Sequence, residues 1–239
     1  MKKFLFLFIF VVLVGCTANT NKVVQTNKID MPDVVFFDYN GTLYDDKTVM
    51  LEGCKKHCKW NAKEDKKMFE KISVNQKVDF IKKKIGQETL NKIYGYMLTQ
   101  DFKVFDNADL VLKELRKQNI PCYVATKSKG WRVREWLAKG KLSQYFNGIY
   151  GTNDFGDLKK PNKDFADKIK EVVGLKNQKC WMIGDSEKDI VMAKNLGCKS
   201  FIIDNFEEIK QNYANLIDEN VAFMRYNEIL NLVKNKYNN

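Results

Sequence analysis

The feature that most constrains this chain is a short apolar run followed at once by a polar residue, repeated along its length. Val34 to Phe37 is such a run, bounded by Asp33 and Asp38. A short stretch without polar alternation is the pattern of a strand buried on both faces. Ile120 to Ala125, Lys179 to Ile183 and Lys199 to Ile203 repeat it, and Gly148 to Tyr150 is a weaker instance. Helical spacing fills the gaps. Residues 107–119 place Ala108, Leu110, Val111 and Leu115 on one face, and 130–139 place Trp131, Arg134 and Leu137 at helical intervals. Residues 163–173 and 187–196 are also helix-like. Strands alternating with helices of this length predict an α/β fold, a Rossmann-like parallel sheet with helices on both faces.

About sixty residues after the first strand break the alternation. Val74, Val78, Ile81 and Ile85 form one helical stripe, Leu90, Ile93, Tyr94 and Met97 a second, and Leu51, Cys54 and Cys58 a shorter third. They predict a helical module inserted after strand one. Ligands of open α/β sheets bind beyond the carboxyl ends of the strands. An insert leaving from there sits over the site as a lid.

The 239 residues suit one domain of ordinary size, or one with a smaller inserted module, and a 44% hydrophobic content excludes a disordered chain. The formal charge of +11 raises the question of nucleic acid. Arg116, Arg132, Arg134 and Arg225 are the only arginines among 41 basic residues; the others are lysines spread along the chain. Base and phosphate readers favour the planar fork of arginine. The excess therefore reads as solvated helix faces, and no nucleic-acid partner is expected.

Lys2 and Lys3 precede the apolar run Phe4 to Val14, which is too short to cross a hydrocarbon layer of about 30 Å as a helix. It has the form of a secretory signal. Leu13 to Cys16 resembles the lipobox of bacterial lipoproteins, in which small Gly15 admits the peptidase and the Cys16 thiol accepts lipid. The resemblance implies a signal peptide at 1–15, a lipid membrane as partner through acylated Cys16, and a location in the cell envelope. Loss of Lys2 and Lys3 takes the charge from +11 to +9. Polar residues 16–32 would form a tether. The alternatives are an uncleaved anchor or a buried apolar strand that ends in Gly-Cys, with the protein in the cytoplasm.

Cys54, Cys58, Cys122, Cys180 and Cys198 are an odd count for a disulfide framework. Cys122 and Cys180 lie in apolar runs and read as buried thiols. Cys54, His57 and Cys58 lack a fourth metal ligand and read as one helix face. Cysteine usage alone thus suggests a reducing compartment, against the lipobox.

Four stations stand at or near strand ends: Asp38 to Leu43, Thr126, Lys160-Pro161, and Gly184 to Asp189. Together they supply what phosphoryl transfer requires. Asp38 is a carboxylate nucleophile. Asp185 and Asp189 are hard oxygen donors suited to Mg²⁺. Lys160 compensates charge, Thr126 offers a hydroxyl and nearby backbone N–H groups to phosphate oxygens, and Gly41 lets backbone approach a ligand. Taken singly, Asp38 and Asp185 also suit turn caps, Thr126 a turn and Lys160 a solvated charge.

In this order the four motifs resemble the haloacid dehalogenase-like (HAD) hydrolase superfamily over roughly residues 33–203. Val104 to Lys127 and Gly184 to Gly197 resemble its phosphoglycolate-phosphatase-like branch. The resemblance implies a core at 33–43 and 106–239 and a helical cap at 44–105. It implies an aspartyl-phosphate on Asp38, and Mg²⁺ held by Asp38, the Asn40 backbone carbonyl and Asp185, with Asp189 supporting the metal through water. Gly41, Thr126, Lys127 and Lys160 would hold a small phosphorylated substrate.

One position departs from the family. Two residues after the nucleophile it usually carries an acid–base Asp, and here Asn40 stands there. An amide cannot exchange a proton near neutral pH, and that role is typically worth 10²–10⁴-fold. Either another acid such as Asp45 or Asp46 substitutes, or turnover is slow or diverted to an acceptor, or the fold binds ligand without turnover. Metal-independent dehalogenation does not need the Asp185, Ser186 and Asp189 station. The expectation is a Mg²⁺-dependent phosphatase with altered acid–base chemistry.

Overall fold

The computed structural model describes residues 29–235 except 61, 72, 73, 102 and 205. The expected signal peptide, Cys16 and most of the expected tether lie outside them. Among the described residues, no helix is long and apolar enough to cross a membrane.

The core is a six-stranded parallel sheet in the order β3-β2-β1-β4-β5-β6. Its strands are β1 (Val34–Phe37), β2 (Cys122–Lys129), β3 (Gly148–Thr152), β4 (Cys180–Gly184), β5 (Lys199–Ile202) and β6 (Val221–Phe223). β1 is central, with Phe36 opposite Tyr123 on one side and Met182 on the other. All four β1 residues are buried, as a strand covered on both faces requires. Order reverses about β1, so the carboxyl ends of β1, β2 and β4 border the crevice where such sheets take ligands.

Helices α5 (Ala108–Lys117), α6 (Gly130–Lys139), α7 (Lys163–Val173) and α8 (Glu187–Leu196) connect the strands, and α9 (Phe206–Asn212) and α10 (Tyr226–Lys234) follow β5 and β6. On one sheet face Val34, Phe36 and Met182 pack with Phe165 and Ile169 of α7 and Met192 of α8. Each large apolar side chain so buried contributes roughly 1.5–3 kcal/mol. Two expected helix faces are corrected. Trp131 is 49% exposed and Leu110 40%. α6 instead buries Val133 and Leu137, and α5 buries Ala108, Val111, Leu112 and Leu115.

Between β1 and α5 lie α1 (Asp46–His57), α2 (Lys63–Lys71), α3 (Val74–Lys84) and α4 (Gln87–Thr99). They have their own apolar cluster, in which Met50 and Cys54 of α1 meet Ile81 of α3 and Leu90 and Ile93 of α4.

The cysteine reading is also corrected. Cys180 bonds to Cys198 and Cys54 to Cys58, while Cys122 is a buried free thiol. The register pairs Trp181 with Lys199, so the residues before them are cross-strand neighbours with Cα atoms 4.6 Å apart. Cys54 and Cys58 stand one helical turn apart, at 4.9 Å. The odd count thus resolves into two pairs and one spare.

Candidate active site

Asp38 follows β1, and its N–H donates to the Ile183 carbonyl of β4 at 2.8 Å, which continues the ladder into the crevice. The chain then turns tightly. The Tyr39 carbonyl accepts from the N–H groups of Thr42, Leu43 and Tyr44 at 3.3, 2.9 and 3.0 Å. Gly41 carries the turn with φ +71°, and a Cβ there would collide with the Asp185 carboxylate. Only glycine suits both demands.

Asp185 follows β4. Ser186 caps α8 with a reciprocal capping box whose other member is Asp189. Asp189 Oδ2 accepts from Asp185 N–H at 3.1 Å, Ser186 N–H at 2.9 Å and Ser186 Oγ at 2.7 Å. Its Oδ1 accepts from Lys160 Nζ. Lys160 is buried and also donates to Asp38 Oδ1 and the Ala125 carbonyl, each at 2.9 Å. Asp189 is therefore held by α8 and Lys160 at once. Thr126 is buried at the end of the apolar part of β2, and its Oγ1 accepts from Ser128 N–H at 3.2 Å.

Asp38, Asp185 and Asp189 each place a carboxylate oxygen within 4.8 Å of the others. Burial pushes Asp38 up to about 6, with Lys160 pulling the other way and Asp189 adding to the rise. Burial, then the charges of Asp189 and Asp38, hold Asp185 well above the usual carboxylate range. Lys160 loses charge stability to burial, yet Asp189 and Asp38 more than restore it. Three buried carboxylates face Lys160, which bonds Asp38 and Asp189, and Lys47, which stands 3.9 Å from Asp185, so negative charge is in excess. A hard divalent cation would offset it, and carboxylate oxygens are the donors such an ion takes, so this set fits Mg²⁺.

The cleft encloses about 180 Å³. Asp38, Asn40, Gly41, Thr126, Lys127, Lys160 and Asp185 all line it, so the structure brings those sequence candidates together. Asp189 is fully buried and does not line it.

Asn40 is fixed by two side chains. Ser128 Oγ donates to its Oδ1 at 2.6 Å, and its Nδ2 donates to Asp46 Oδ2 at 2.9 Å. The two alternative acids separate cleanly. Asp45 caps α1 through Thr48 N–H at 3.1 Å and pairs with Lys103 at 3.0 Å. Asp46 lines the cleft. Burial raises its carboxyl above the ordinary range, against the Asn40 hydrogen bond.

Sequence reasoning missed Ser128, Lys47, Lys188 and Glu208. The last three line the cleft, and Lys47 pairs with Asp204 at 2.6 Å. Only Ser128 carried a signal, two residues past Thr126 on the same strand.

At the switch point of this parallel α/β sheet stand a buried aspartate, a lysine and an acid cluster, groups suited to hydrolytic chemistry. Residues 35–203 match the haloacid dehalogenase-like hydrolases, and the chain belongs to that family. It is 29% identical over 116 residues to a phosphoglycolate phosphatase of Vibrio parahaemolyticus, covering 48% of this chain and 50% of that one. It is 25% identical over 150 residues to the Escherichia coli phosphoglycolate phosphatase, covering 62% and 58%. The chain spans about half the length of the curated relatives it matches. Among solved structures, a magnesium-bound Bacillus subtilis protein described as a putative HAD-hydrolase aligns with TM-score 0.67 at 16% identity, over 86% of this chain and all of that one. A Clostridium difficile protein described as a putative phosphatase aligns at 0.65 and 20% identity, with the same coverage of this chain and 100% of its own. These two likenesses carry the fold.

Proposed function

We propose that this protein is a Mg²⁺-dependent phosphatase of a small phosphorylated molecule. The observation that carries the reading is the convergence of Asp38, Thr126, Lys160 and Asp185 in one small cleft. At about 180 Å³ it is below the usual 300–1,000 Å³ of drug-sized ligand pockets. That volume suits a phosphoryl group with a compact leaving group. Lys127 lines the same cleft, placed for a second anionic group such as the carboxylate of phosphoglycolate, the substrate in the relatives' names.

Asp38, the Asn40 backbone carbonyl and Asp185 would hold Mg²⁺, whose chemistry is to offset charge on the phosphoryl oxygens. Asp38 attacks phosphorus, the bond to the leaving oxygen breaks, and an aspartyl-phosphate forms. Thr126 and Lys160 hold the transferring group. Asn40 cannot protonate the leaving oxygen. Asp46, placed in the cleft and bonded to Asn40, supplies that proton and then takes one from the water that releases phosphate from Asp38. Asp45 is committed to α1 and Lys103.

The test is phosphate release from p-nitrophenyl phosphate by wild type, Asp38→Asn and Asn40→Asp, with and without Mg²⁺. Wild type should turn over only with Mg²⁺, and Asp38→Asn should be inactive; release that ignores either change removes the reading. A second reading follows from the clamping of Asn40 between Ser128 and Asp46: a fold that binds phosphorylated ligand without turnover. It predicts a silent wild type and activity gained in Asn40→Asp.

The lipobox reading belongs to the same proposal. Acylation of Cys16 would tether the domain to a bacterial envelope membrane. It is supported by the basic start, the apolar run and Gly15. Two disulfides in the described residues suit an oxidising compartment. Cys16→Ser should move the protein from the membrane to the soluble fraction; an unchanged distribution would count against acylation.

A further inference from the structure

We infer that Tyr226, at the start of α10, is a positioning residue for the catalytic turn. It lies outside residues 35–203, the part that matches the family. Its phenol is buried, and the hydroxyl donates to the Thr42 backbone carbonyl at 3.2 Å. Thr42 is itself fully buried, and its own hydroxyl finds no hydrogen-bond partner among the described residues. Most other bonds of the turn are internal: Tyr39 closes onto Thr42, Leu43 and Tyr44, and Gly41 N–H onto the Tyr44 carbonyl at 2.9 Å. The Thr42 carbonyl is instead held by a helix 184 residues away in sequence.

The consequence is local. A buried carbonyl that loses its donor must turn toward another or stay unpaired, at real cost. The neighbouring joint without a side chain is Gly41, whose φ is +71°. Rotation there moves the Asn40 carbonyl on one side and shifts Asp38 relative to Asp185. Burial, then the charges of Asp38 and Asp185, keep the phenol protonated well beyond its ordinary range, so it stays a donor.

The inference rests on the phosphatase reading for its kinetic part alone. The experiment compares full-length wild type, Tyr226→Phe and, as a control on the same helix, Ile229→Ala. Each is measured for kcat and KM on p-nitrophenyl phosphate, for Mg²⁺ affinity by calorimetry, and for amide exchange over residues 39–44. Loss of one such bond corresponds to about fivefold. Tyr226→Phe should lower kcat and weaken Mg²⁺ binding by about that factor. KM should hold, and exchange should quicken in the turn but not in β5. Ile229→Ala should lower stability while leaving Mg²⁺ affinity and kcat per folded molecule unchanged.

Unchanged Mg²⁺ affinity and turn exchange in Tyr226→Phe would overturn the inference. So would equal effects in both variants, or a Tyr226→Phe chain that does not fold, since each makes the role merely structural. If wild type hydrolyses no phosphate ester, the phosphatase reading falls, and the calorimetric and exchange results still decide the role of Tyr226.

Discussion

Asn40 and Asp46 show how a residue's meaning depends on its neighbours. By type alone Asn40 removes a proton donor, yet its amide reaches a carboxylate that can carry one, at 2.9 Å. Replacing Asp46 by Asn should therefore lower kcat by about 10²-fold or more, with KM little changed. A steady-state comparison with wild type checks this, and equal rates would make Asp46 a spectator. Asp38, Thr126, Lys160 and Asp185 were legible in the sequence because side-chain chemistry stood at or near the ends of recognisable strands. Ser128 and Tyr226 were not, because what brings them to the turn is hydrogen bonds to Asn40 and Thr42, 88 and 184 residues away. The choice between Asp45 and Asp46 turned on where α1 begins, since its N-cap consumes Asp45.

At the level of elements, burial decides what periodicity reveals. α7 shows Phe165, Ala166 and Ile169 on one buried face, and its boundaries follow the spacing. Ile169→Ala should cost about 2–4 kcal/mol in urea denaturation while leaving turnover per folded molecule intact, because Ile169 packs beneath the sheet and not in the cleft. α2 escaped notice because Lys63–Lys71 is mostly charged, and β6 because it has only three residues. Trp131 and Leu110 misled because apolar type at helical spacing does not say which of two adjoining stripes faces the core. The Cys180–Cys198 disulfide needed strand register, which the sequence does not display. Cys180 and Cys198 become neighbours only when β4 and β5 pair.

For the whole molecule, strand order does most to organise function. Placing β1 between β2 and β4 brings Asp38, Thr126 and Asp185 to one crevice, although 147 positions separate the first from the last. The Cys180–Cys198 bond joins the other ends of β4 and β5 and closes a separation of 18 residues. A loop of that size is worth roughly 3 kcal/mol. Cys180→Ala with Cys198→Ala should thus lower Tm by about 6–12 °C in a thermal scan, with kcat at low temperature preserved. Equal Tm values would show that the bond does not support the sheet. β4 is thus riveted at one end and borders the cleft at the other, like a tool pinned at its handle. Toughness and chemistry occupy opposite ends of the same strand, so an engineer can change the rivet without touching the jaws.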